Sequence, residues 1–277
     1  MAVESNLNDY KGEFLGKVGN IEDFSREFLV KLAQVFEDTQ LFAYQAWAAA
    51  YGARVGFHEA WDLAAEISRS CGRQIMPMAR YVAKPGCDWR RPEHQVAPFD
   101  CGTNDLTKEG LIRLIRTYWD QWLKFNKEWV ECIIAAKAVS TAEVAHISEE
   151  AYKSIAAYEL PKLARACQIQ PEHVIDYIKL ANLGIDGTAG YQGEWEVIDP
   201  DHVVLRMCEC EVMQKYMDEG VFDTKKALWM CRNEAMISRA FFPGIEIDIK
   251  LPPPDLKVPP GEPFCVWTYT KERNQAA

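Results

Sequence analysis

Long uninterrupted apolar runs, an excess of positive charge and closely spaced metal-ligand patterns are all missing from this sequence. A membrane-spanning helix needs roughly 20 consecutive apolar residues, and no stretch approaches that length. Lys and Arg total 31 against 41 Asp and Glu, a formal net charge of −10, which argues against nucleic acid as the main partner. Histidines number five, and none forms H-x-x-x-H or H-E-x-x-H, so the zincin pattern is absent. No G-x-S-x-G, Walker A or G-x-G-x-x-G occurs, which removes support for serine-hydrolase and nucleotide-loop readings. Nine cysteines contain no C-x-x-C, and the only close pair is Cys208 with Cys210, so zinc-ribbon and ferredoxin patterns are excluded. The polar, acidic opening MAVESNLNDYKGEF is unlike a signal peptide, and the chain is expected to be soluble and cytoplasmic, with thiols in place of disulfides.

Hydrophobic residues make up 48% of the chain, ample for a buried core, and its nine Trp suit either core filling or an aromatic-lined pocket. The sequence predicts an α+β protein. Residues 1–20 read as an arm, residues 21–183 as a helical region and residues 190–272 as an α+β domain. A first helix begins near Ile21 with Ser25 as its cap, without a capping box because Phe28 stands where Glu or Gln is wanted. Gly52 and Gly56 are expected to break it, and a second helix runs from about Phe57 to Ala83, divided or kinked at Pro77. Residues 84–105 lose periodicity and read as a lid, a pocket wall or a surface linker.

A third helix opens at Thr107. SREFLVKLAQVF from Ser25 and TKEGLIRLIRTYW from Thr107 share an opening of hydroxyl, basic residue and Glu, and Trp47 and Trp129 keep the same offset. This predicts a duplicated helix pair. Helices follow from about Ser148 to Cys167 and from Pro171 to Leu183, then the glycine-rich GIDGTAGYQG marks a boundary. Beyond it a hairpin turns at Asp199-Pro200-Asp201-His202, helices are expected at about Glu209–Glu219 and Thr224–Phe241, and Ile245–Leu251 and Phe264–Thr270 alternate as strands. The last third therefore reads as a small antiparallel sheet with helices on one face.

The candidate chemistry lies in that last third. Cys208 is expected after a strand and before a helix, where free N–H groups favour thiolate while Glu209 and Glu211 oppose it. It reads as a nucleophile, a small buried hydrophobe or a metal ligand. Cys231 has Glu234 one helical turn on, a spacing that suits a shared metal or a core thiol beside a solvated acid. Strand alternation places Cys265 and Trp267 on one face, and the closing strand could bring Cys265 near Cys208 or Cys231. His58, beside Glu59 and Glu66 at a helix start, is the first general-base candidate, and His94 in the irregular segment is the second.

These residues resemble the L-2-amino-thiazoline-4-carboxylic acid hydrolase-like family. The resemblance rests on Arg206-Met207-Cys208, on Cys231 and on Gly261-Glu262-Pro263-Phe264-Cys265-Val266-Trp267, with the helix Leu29 to Trp47, Gly52 and the helix through Glu66 similar as well. It covers about residues 25–80 and 150–270, while residues 87–139 and the long proline-rich segment before Cys265 depart from the pattern. The resemblance implies ring-opening C–N hydrolysis of a small heterocycle at a cysteine-containing site. The closing strand also resembles that of vinyl-reductase-type small-molecule-binding domains. That likeness implies Cys208, Cys231 and Cys265, with Glu234 or Glu246, as ligands of zinc or another transition metal.

The function expected is a hydrolase of a small cyclic or aromatic substrate, with Cys208, Cys231 and Cys265 at the site and His58 or Glu66 moving protons. A non-catalytic small-molecule or metal-binding protein is the rival, and a structural partner subunit using helix 107–129 as interface is a third reading. Neither nucleic acid nor membrane is an expected partner, and a homo-oligomer is compatible with the sequence.

Overall fold

The computed structural model describes residues 21–75, 81–82, 95–96, 102–185, 191–210, 231, 238–239, 241–253 and 257–271, in part by backbone alone. The expected arm at residues 1–20 lies outside them. The protein is α+β, and its described residues form two compact units that meet in sequence at Cys167 and Gln168.

The first unit is built from four helices: α1 (Arg26–Val55), α2 (Phe57–Ile75), α3 (Lys108–Ala136) and α4 (Thr141–Cys167). Ser25 caps α1 by accepting the Phe28 N–H, and Thr107 caps α3 by accepting the Gly110 N–H. These equivalent caps start two helices of nearly equal length. The helices then run parallel and in register. Phe36 lies 6.5 Å from Tyr118 and Trp47 stacks on Trp129 at 5.8 Å with an interplanar angle of 11°. Both pairs keep the sequence offset that separates Ser25 from Thr107, so positions that match in sequence lie side by side on α1 and α3.

Helix α4 returns antiparallel to α1, with the Phe42 and Tyr158 rings stacked at 4.1 Å and Arg54 paired with Glu150 at 2.8 Å. Trp47, Trp122 and Trp129 are fully buried with Phe28, Phe36, Phe125, Leu111 and Ile115. The tryptophans are thus core filling. Leu111, Ile112, Leu114, Ile115, Trp122, Phe125 and Trp129 of helix 107–129 are buried within the unit.

Three local expectations are corrected here. Gly52 does not break α1. It lies inside the helix, where an added Cβ would stand 3.2 Å from the Ala60 Cβ, so its bare backbone permits α2 to fold back closely. Gly56 is the true stop, with φ of 109°, a conformation that L side chains rarely adopt. The second helix does not continue to Ala83, because Tyr81–Val82 (β1) pairs antiparallel with Gln95–Val96 (β2), and Pro77 lies outside the described residues. The fourth helix begins at Thr141, ahead of Ser148. Ser140 and Glu143 form a reciprocal capping box, with Ser140 N–H and Oγ–H donating to Glu143 Oε2 at 2.8 and 2.7 Å.

The second unit contains α5 (Val174–Leu183) and a sheet of β3 (Tyr191–Asp199), β4 (His202–Cys210), β5 (Ile245–Lys250) and β6 (Cys265–Lys271). The strand order is β3-β4-β6-β5 and every pairing is antiparallel. Register places Val203, Met207, Cys265, Trp267, Tyr269, Ile245 and Ile247 on one face, and all of them are buried. Helix α5 packs against β4 and β6. It starts at Val174, with His173 at its N-cap, so Pro171 precedes it and does not occupy the first turn. Cys231, Ser238, Arg239 and Phe241 have helical backbone, and Ser238 is joined to Tyr177 of α5 by a buried hydroxyl–hydroxyl hydrogen bond.

Candidate functional site

The expected start of a helix at Glu209 is overturned. Strand β4 continues through Cys208 and Glu209 to Cys210, so no helix N-terminus begins at Glu209 to favour a Cys208 thiolate. The backbone offers a different feature. Gly193 pairs with Met207 but Gln192 pairs with Glu209, so Cys208 is the additional residue where the β3–β4 register shifts. Such bulges bend a strand, increase its twist and re-aim side chains, and they are over-represented beside active sites.

The same end of β4 carries the closing strand. Met207 pairs with Cys265, and the Phe264 N–H donates to Met207 O at 2.6 Å. Cys265 therefore lies opposite the residue that precedes Cys208 in the chain. Its side chain is 7% exposed and shares the buried face with Trp267, whose indole Nε1–H donates to Cys265 Sγ at 3.2 Å. Trp267 stacks along the strand on Tyr269 at 6.3 Å, and Trp195 of β3 lies 6.0 Å from the same ring. The buried sulfur thus has the Trp267 indole N–H directed at it, on a face that also carries Tyr269.

The remaining candidates divide by element. Cys231 is half-buried on helical backbone, and Cys210 is half-buried at the end of β4, paired with Tyr191. Glu246 is exposed, pairs with Thr270 on the sheet face opposite Cys265, and forms an ion pair with Arg239 at 2.8 Å. Strand parity thus separates Glu246 from Cys265 as a common ligand set. Glu234, His94 and the Cys208 side chain lie outside the described residues. His58 and Glu66 are exposed on α2, with the His58 ring 5.8 Å from that of Phe57, and they belong to the first unit while the cysteines of the candidate site belong to the second.

Among the described residues no group of three His, Cys, Asp or Glu side chains could hold a metal ion. Those residues alone do not make the expected zinc site. Cys132, Cys167, Cys210, Cys231 and Cys265 are all thiols. Cys167 closes α4 fully buried, and burial pushes its thiol up to about 12 against a smaller opposing effect from the Lys31 charge, so it is a protonated core residue.

One polar constellation was not singled out from the sequence. Asp201, in the β3–β4 turn, accepts the Val174 N–H at 3.3 Å and bonds His173 Nδ1 at 3.1 Å. Pro200 O accepts the Ile175 N–H at 3.0 Å, and Lys271 N–H donates to Asp201 O at 3.1 Å. This clasp ties the hairpin turn and the last strand to the N-terminus of α5, where a carboxylate satisfies an otherwise unpaired N–H and complements the helix dipole. The Asp-Pro-Asp-His turn was legible, but its partner lies 28 residues away in sequence and no local pattern joins them.

Comparisons with protein-family models, curated proteins and solved structures find no match to this chain.

Proposed function

We propose that this protein is a hydrolase that opens a small cyclic substrate at a C–N bond, with its chemistry centred on the cysteines at the Cys208 end of strand β4. The observation that carries this reading is the β4 register shift at Cys208 directly beside the Met207–Cys265 pairing. In this reading the Cys208 thiolate adds to the ring carbon attached to nitrogen. The C–N bond then breaks as nitrogen takes a proton, and water releases the product from sulfur. Cys265 and Trp267 share the buried face of β6, the strand that pairs with β4. The resemblance to the aminothiazoline-carboxylate hydrolase-like family supports the substrate class, a compact heterocycle bearing a carboxylate.

His58 and Glu66 are retained as proton-transfer candidates. They are tested apart from the cysteines because they belong to the other unit. Zinc or another transition metal would require Cys208 and Glu234 in addition to Cys231 and Cys265, and elemental analysis of protein purified without a histidine tag tests it. A second reading, a non-catalytic small-molecule-binding protein, is favoured by the burial of Cys265, Met207 and Trp267, which is also what a packed sheet face requires.

The test of the leading reading is turnover of 2-amino-thiazoline-4-carboxylate and of small cyclic amides by the wild-type chain and by Cys208→Ser. Loss of turnover by at least about 100-fold with an unchanged circular dichroism spectrum is expected if a nucleophile has been removed. Turnover that survives in Cys208→Ser would rule out the nucleophile, and binding without turnover in the wild type would select the second reading.

A further inference from the structure

No further inference is drawn: the strongest candidate, the exposed Phe57–Trp61 ring pair on the first turns of α2, is an apolar face for which nothing in the structure shows what covers it.

Discussion

Asn126 shows how much single polar residues matter inside the helical unit. It accepts the Trp47 indole N–H at 3.0 Å while its own amide donates to Trp122 O at 2.9 Å, all in a buried setting. Tyr44 holds the equivalent place on α1, and the indole N–H of Trp129 is buried without a hydrogen-bond partner among the described residues. The matched positions of α1 and α3 thus stack on each other but differ in polar satisfaction. Asn126→Leu would strand the Trp47 donor in the core. A loss of about 1–3 kcal/mol is expected in urea unfolding, because a buried unpaired donor keeps its full desolvation cost.

At the same scale, Cys167 is expected to resist iodoacetamide at pH 8.5 in the native chain and to react once the chain is unfolded, since burial keeps its thiol protonated. Native labelling of Cys167 would contradict its placement.

Glu143 supplies a pH dependence. Hydrogen bonds from the Ser140 backbone and hydroxyl lower its pKa from the usual 4.5. A depressed folded-state pKa contributes stability that is present above the unfolded value and lost as pH falls through the folded value. Acid unfolding of Glu143→Gln should therefore show a shallower loss of stability below about pH 4.5 than the wild type. An unchanged acid limb would show that the capping box makes no contribution.

Among the elements, those with strong periodicity and local caps were legible in the sequence. Ser25 and Thr107 stand where a hydroxyl must accept an N–H, and both helices that they open were expected. The alternation of Ile245–Lys250 and of Cys265–Lys271 also located two strands to within a residue. The Ser140–Glu143 box is equally local, an S-x-x-E pattern within four residues. The function of Gly52 was hidden because it depends on Ala60 in the next helix, and composition says only that glycine weakens a helix. Gly52→Leu is accordingly expected to cost more than the usual helix-propensity change would suggest. Its side chain would have to displace α2, lowering the melting temperature by several degrees, whereas a gain in stability would refute the close approach.

The Asp201 clasp was out of reach for the same reason, since it spans two elements. Asp201→Ala should cost about 0.5–2 kcal/mol, the usual range for a lost helix cap, with amide exchange accelerated in the first turn of α5. Unchanged exchange there would show that the clasp does not hold the helix start.

Over the whole molecule, the sequence conveyed the α+β class and the change of grammar in its last third, while the boundary of compactness falls earlier than the glycine-rich segment suggested. Helix α5 groups with the sheet because its apolar residues Val174, Tyr177 and Ile178 are buried in the second unit. Hydrophobic periodicity identifies a helix but not the surface against which it packs. No described helix is long and apolar enough to cross a membrane. The candidate site was legible only in part. Alternation put Cys265 with Trp267, but the extension of β4 through Cys208 depends on pairing with β3, which no local propensity encodes.

Cys208 is proposed as a reactive thiol at the β4 register shift. Iodoacetamide labelling of the native chain, mapped by mass spectrometry with glutathione as an internal standard, tests it most directly. Cys208 is expected to be alkylated faster than glutathione at pH 7 while Cys265 and Cys167 stay protected. Protection of Cys208 to the same degree as Cys167 would contradict the account and leave the cysteines as packing residues of an ordinary sheet.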